Sequence, residues 1–284
     1  MTETTKEPAG PAGTVSGRPS GMSPRKKQKI SRGVQYAVFV IVVLAAAFSA
    51  NWPGISEQFF NFAKLEGTYD KLVTVALKNT IVFTLLAYVV AMALGLVIAL
   101  MRLSSAAPYR WFAVVFIEIF RGLPALLILV SVAFVLPVAF PAFANPPGGV
   151  YTQVAIGLGL VGAAYMAETI RAGIQAVPKG QLEAARSLGM SQGRAMISIV
   201  IPQAFRIVIP PLTNELVLMF KDSSLVFALG VTANEIELTR FGESISIEKV
   251  NATPIIAAGL AYLIITIPLG IVVRRLEARQ AKAR

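Results

Sequence analysis

The 284-residue chain contains no cysteine and no histidine. This double absence removes disulfide frameworks, thiolate nucleophiles, Cys or His metal sites and every triad that relies on an imidazole base. Charge is also scarce: 14% of residues are charged against 55% apolar, a balance outside the range of ordinary soluble domains. No Gly-x-x-x-x-Gly-Lys-Ser/Thr stretch occurs, so the chain carries no phosphate loop of that kind. No nucleophile, base and orienting group form a recognisable set either, which leaves a membrane enzyme without support.

What is present is apolar sequence in long runs. A bilayer core about 30 Å thick takes roughly 20 apolar residues per helix, and six such segments occur, at about 34–50, 79–101, 122–141, 151–170, 198–220 and 253–273. The net charge of +11 alone would suit a nucleic-acid partner, but its placement argues against that. Arg25, Lys26, Lys27, Lys29 and Arg32 precede the first run, and Arg274, Arg275, Arg279, Lys282 and Arg284 follow the last. Such flanks set membrane orientation and can touch anionic lipid. The remaining connections agree with six crossings and both termini in the cytoplasm. Arg102, Arg110, Arg171, Lys179, Arg186 and Arg194 fall on one side, and fewer, mixed charges from Lys64 to Lys71 and Glu235 to Glu248 on the other.

The expected fold is an all-α polytopic membrane protein with about six transmembrane helices. Its divisions are a Pro, Gly and Ser-rich disordered cytoplasmic tail at 1–30, a first retained anchor with its outer loop at 31–69, a membrane-spanning core at 70–273 and a basic cytoplasmic tail at 274–284. No repeat of fixed period is visible, so an inverted-repeat architecture gains nothing.

The longest cytoplasmic connection, 177–202 within Ala172 to Phe205, carries helical structure of its own. Pro178 and Gly180 stop the preceding helix, Gln181 to Leu188 restart one, Gly189 supplies a C-cap, and Ser191 caps a second helix from Gln192. Leu182, Ala185, Leu188, Met196 and Ile199 can hold this helix-turn-helix against the spans, with Glu183, Arg186 and Arg194 outward. Small Ala184 and Ala185 permit close approach of a partner helix.

In the fifth run, Pro210 and Pro211 lie back to back, which predicts a discontinuous helix. A new half-helix starting at Pro211 would offer amides to a carboxylate, and Glu215 one turn later could receive an ammonium group, with Asn214, Lys221 and Asp222 as companions. A carboxylate inside a span costs at least about 2.5 kcal/mol on insertion scales. An intramembrane ion pair or a subunit contact would account for Glu215 as well. Glu168 with Arg171, and Glu118 with Arg121, stand three apart and can pair on a helix face.

Glu183-Ala184-Ala185, three residues, Gly189, nine residues and Ile199-Val200-Ile201-Pro202 resemble the EAA loop of ABC importer permeases, with Ile201 where Leu is usual. Phe120-Arg121-Gly122-Leu123-Pro124, Ala167-Glu168-Thr169-Ile170-Arg171 and Lys221-Asp222-Ser223-Ser224-Leu225 are similar to motifs of the polar amino acid branch. The resemblance covers about residues 70–273. It implies a permease subunit in the cytoplasmic membrane of a prokaryote, translocating polar amino acids by alternating access. It further implies a separate ATPase subunit binding ATP and Mg, a second permease copy or paralogue, and an extracytoplasmic solute-binding protein. Glu183, Ala184, Ala185, Arg186 and Gly189 would form the ATPase contact, with no cofactor in this chain. The alternative is an ion-coupled secondary amino acid transporter working through carboxylates such as Glu215.

Overall fold

The computed structural model describes residues 24 to 283, with side chains from 27 to 280. Most of the tail read as disordered, and the side chains of Arg25, Lys26, Lys282 and Arg284, lie outside these residues. No strand occurs among the described residues. The chain divides into two units, ending at Ile55 and beginning at Ser56. In the first, helix α1 runs Pro24–Ser49. It starts about ten residues before the apolar run because Lys, Arg and Gln propagate a helix well.

The second unit contains α2 (Tyr69–Leu103), α3 (Ala107–Gly122), α4 (Ala125–Ala139), α5 (Val150–Gln175), α6 (Lys179–Ser187), α7 (Gln192–Leu229), α8 (Leu238–Lys249) and α9 (Thr253–Ala283). Two of these correct the sequence reading. The third apolar segment is the second arm of a pair, α3 and α4, bent by 107°. α3 escaped notice because Arg110, Glu118 and Arg121 interrupt its apolar character. The connection that holds Glu235 to Glu248 is not a plain loop but folds into α8.

Glycines and alanines bring α2 and α5 into close contact, as small residues do between membrane helices. A Cβ on Gly95 would lie 2.9 Å from Met166 Cβ and 3.1 Å from the Ala163 carbonyl, and one on Gly159 would lie 2.6 Å from Val90 Cγ1. A Cβ on Gly162 would meet that of Ala91 at 2.9 Å, and Tyr151 reaches Asn79. Low numbers meet low numbers throughout, so the two helices are parallel. The chain between parallel spans must cross an odd number of times, so α3 and α4 together make one broken crossing and not a re-entrant loop.

α5 and α7 are antiparallel: Gly173 packs on Val208 and Gly162 on Met219. α9 returns antiparallel to α7, with Gln280 reaching the Arg206 carbonyl. The end of α2 at Leu103, the 177–202 loop and the end of α9 therefore share one side. The second unit makes five crossings, and α1 is long and apolar enough for a sixth.

The opposite side is closed by a buried polar clasp. Asn79 Nδ2 donates to the carbonyls of Asn234 and Ile236, both at 2.9 Å, and the Leu238 amide donates to Thr80 Oγ1 at 3.1 Å. Glu237, fully buried, is the N-cap of α8. Its Oε1 accepts from the Arg240 amide at 2.7 Å, and its Oε2 accepts from the Thr239 amide and from Tyr262 Oη at 3.0 Å. Phe241 and Ile245 of α8 pack with Leu65, Ala76 and Ala258 beneath this cap.

Candidate functional site

Two features lie on α5 and α7: the loop that joins them and an acidic cavity between them.

The loop follows the cap signals at Pro178, Gly189 and Ser191, but Gly180, read as a helix stop, lies inside α6, which starts at Lys179 and not at Gln181. Pro178 precedes α6 with extended ψ of 129°. α6 ends in a Schellman motif: the Met190 amide bonds the Ala185 carbonyl at 3.1 Å, the Gly189 amide bonds the Arg186 carbonyl at 3.0 Å, and Gly189 takes φ of +85°. Ser191 Oγ then accepts from the Arg194 amide at 3.4 Å. The second short helix is not separate. It is the first turn of α7, which passes through a π-helical stretch at Met196–Val200 and continues into the membrane segment. Val177, Val200 and Ala204 form a small core with half-buried Leu182 and Met196, and Ala185 is 3% exposed. Ala185 thus faces the spans and is not free to meet a partner. Leu188 is the reverse: expected against the spans, it is 85% exposed, because it sits at the C-cap where α6 turns away. Glu183, Ala184, Arg186 and Leu188 form the outward face. Among the described residues neither Glu183 nor Arg186 makes a salt bridge.

The helix through Pro210 and Pro211 is continuous from Ile201 to Asp222, which overturns the expected break and removes the half-helix amides at Pro211. Proline's fixed φ is compatible with a helix, and its cost lies in the missing donor and in the ring's crowding of the carbonyl four residues earlier. For Pro210 that carbonyl belongs to Arg206, which lies against Gln280 Nε2 of α9.

Glu215 and Asp222, seven residues apart on one face of α7, line a cavity of about 340 Å³. Its other walls are Gly162 and Tyr165 of α5 and the bend between α3 and α4 at Leu123 and Ala125. Arg121 lies over the Tyr165 ring at 5.3 Å instead of pairing with Glu118. Of the expected companions, Asp222 joins Glu215. Lys221 points into a separate notch with Ser224 and Tyr262, and Asn214 is exposed and lines neither. Glu168 and Arg171 do pair, at 2.6 Å. Tyr165 and the bend were missed as cavity walls. The Phe120–Pro124 motif marked the place, but its contact with α5 is long-range. Two carboxylates and a phenol in a half-open cavity suit an ammonium group.

The family described as binding-protein-dependent transport system inner membrane component matches residues 91–282. The probable glutamine ABC transporter permease protein GlnM of Bacillus subtilis (strain 168) is 40% identical over 205 residues, spanning 70% of this chain and 91% of the relative. The glutamate/aspartate import permease protein GltK of Escherichia coli O157:H7 is 32% identical, over 71% of this chain and 90% of the relative. One chain in a crystal structure of an amino acid ABC transporter with histidines superposes with a TM-score of 0.68 at 34% identity, over 77% of this chain and 98% of that one. With its apolar helices and loop, the chain therefore belongs to the multi-pass inner-membrane components of binding-protein-dependent transport systems.

Proposed function

We propose that this chain is the permease subunit of an ATP-driven importer that moves polar amino acids into the cytoplasm by alternating access. The observation that carries the reading is shared support: the two helices joined by the 177–202 loop, α5 and α7, also wall the cavity of Glu215 and Asp222. A push on the loop therefore acts on the cavity through rigid helices. A separate ATPase subunit, with ATP and Mg, docks on Glu183, Ala184 and Arg186, while buried Ala185 and the turn at Gly189 shape the docking helix. A second permease subunit completes the path, and a solute-binding protein delivers substrate from the opposite face. The basic flanks hold the loop side and both termini in the cytoplasm against lipid. The substrate class follows relatives named for glutamine and for glutamate and aspartate.

In the cavity, Glu215 and Asp222 take the substrate ammonium group, and Lys221 and Asn214 act outside it along the path. The test is uptake of labelled polar amino acids into proteoliposomes that hold the chain, its ATPase and binding protein, with ATP inside. Uptake that needs ATP and is lost in Glu183→Arg supports the reading. Gradient-driven uptake by the chain without an ATPase overturns it.

A further inference from the structure

Arg121 lies in the last turn of α3, two residues before Leu123 at the bend that walls the acidic cavity. Its guanidinium stands over the ring of Tyr165 at 5.3 Å, and Tyr165 is itself part of the cavity wall. Tyr165 is ten residues from the loop end of α5 at Gln175, or about 15 Å at 1.5 Å per residue. That is near the middle of a bilayer core about 30 Å thick. A guanidinium at this depth is far from either surface and needs a charge partner or a water-filled path. The aromatic face of one tyrosine recovers only part of the hydration that the cation gives up. No carboxylate of the chain completes the match. Among the described residues Arg121 makes no salt bridge, and neither do Glu215 and Asp222. Glu168, three residues beyond Tyr165, is already held by Arg171 at 2.6 Å. One cation and two anions thus border a single cavity without closing on each other, which is the charge pattern that a dipolar ion completes.

We propose that Arg121 binds the substrate carboxylate: an amino acid lies in the cavity with its ammonium group on Glu215 and Asp222 and its carboxylate on Arg121, beside the Tyr165 ring. This rests on the reading of the cavity as a substrate site. The cation belongs to the broken crossing of α3 and α4 and both acids belong to α7, so only a ligand that carries both charges engages both helices. A guanidinium holds a carboxylate through two parallel N–H donors, a geometry that a lysine ammonium cannot reproduce.

Two probes separate the charges: labelled glutamine, and glutaminamide, which keeps the ammonium group and lacks the carboxylate. Their affinities are measured on the purified permease with its ATPase and without the solute-binding protein, so that only the permease selects. The wild type is expected to prefer glutamine. Arg121→Gln lowers glutamine affinity about ten- to a hundredfold, the scale of hydrogen bonds to a charged group, and does not lower that of glutaminamide. Arg121→Lys keeps the charge without the fork and falls between. Both probes meet the same preparation, so their ratio is independent of the fraction of each variant that folds. Wild-type glutamine affinity in Arg121→Gln, or an equal loss for both probes, overturns the proposal. No binding of either probe by the wild type overturns it together with the cavity reading. Glu215→Gln and Asp222→Asn should weaken both probes alike. Wild-type affinities in those two variants would sink the acids as the ammonium site, while the ratio in Arg121→Gln still decides the carboxylate.

Discussion

Tyr151 donates its hydroxyl hydrogen to Asn79 Oδ1 at 2.8 Å, while the same amide's nitrogen donates to the Asn234 and Ile236 carbonyls. One side chain on α2 thus fastens the start of α5 and the segment leading to α8. Asn79→Leu strands two carbonyls and a phenol in a buried site, and is expected to cost about 2–4 kcal/mol. Thermal denaturation in detergent measures this. Tyr151→Phe removes one of the three bonds and should cost about a third as much; equal losses would show that the amide does not organise the clasp.

Gly95 and Gly259 make a paired test of the parallel contact. A side chain at Gly95 meets the backbone of Ala163 and Ala167 at 3.1 and 3.3 Å, which cannot yield without separating α2 from α5. Gly95→Val is expected to destabilise by about 1–3 kcal/mol or more. Nothing lies within 4 Å of a Cβ at Gly259, so Gly259→Ala should be neutral or stabilising by up to about 1 kcal/mol. Matching melting shifts for the two would refute the close approach.

Leu188 is an exposed apolar residue on the outward face of the 177–202 loop. Leu188→Ser should leave the unfolding free energy of the isolated chain within about 0.5 kcal/mol of wild type. In the assembled transporter it should weaken copurification of the ATPase and lower ATP hydrolysis stimulated by the binding protein. A stability loss in the isolated chain would mean that Leu188 packs on the spans after all.

Glu237 gives a pH signature. Burial pushes its carboxyl above the usual carboxylate range, and the amides of Thr239 and Arg240 oppose the shift without cancelling it. A folded value above the unfolded one means that the stabilising contribution is complete below the unfolded value and is lost as pH rises through the folded value. Glu237→Gln keeps an acceptor for the cap and cannot ionise. Its melting temperature relative to wild type should therefore rise from acid pH upward through that window and then level off. A difference independent of pH would show that the buried carboxyl carries no shifted proton.

Much of this architecture is legible in the residues because it is local. The six apolar runs follow from bilayer thickness, and the caps at Pro178, Gly189 and Ser191 follow from backbone preferences that need no partner. Glu215 stands out because a carboxylate in a span demands a reason. The rest depends on distant groups. Asp222 shares the cavity of Glu215 while Lys221, one residue away, does not, and that separation is set by helix rotation against α5. The continuity of α7 through two prolines runs against the local signal, in which each proline removes a ladder donor. Leu188 follows the apolar stripe of its helix, yet the cap at Gly189 turns it outward.

The length of α7 has a mechanical meaning. Its 38 residues form a rod of about 57 Å at 1.5 Å per residue, which Pro210 divides into two unequal arms. The arm from Gln192 to Pro210 is about 27 Å and the arm from Pro210 to Asp222 about 18 Å. For a rigid tilt about Pro210, a loop-end displacement of about 3 Å corresponds to about 2 Å at Asp222 in the opposite direction, with a proportionately greater force.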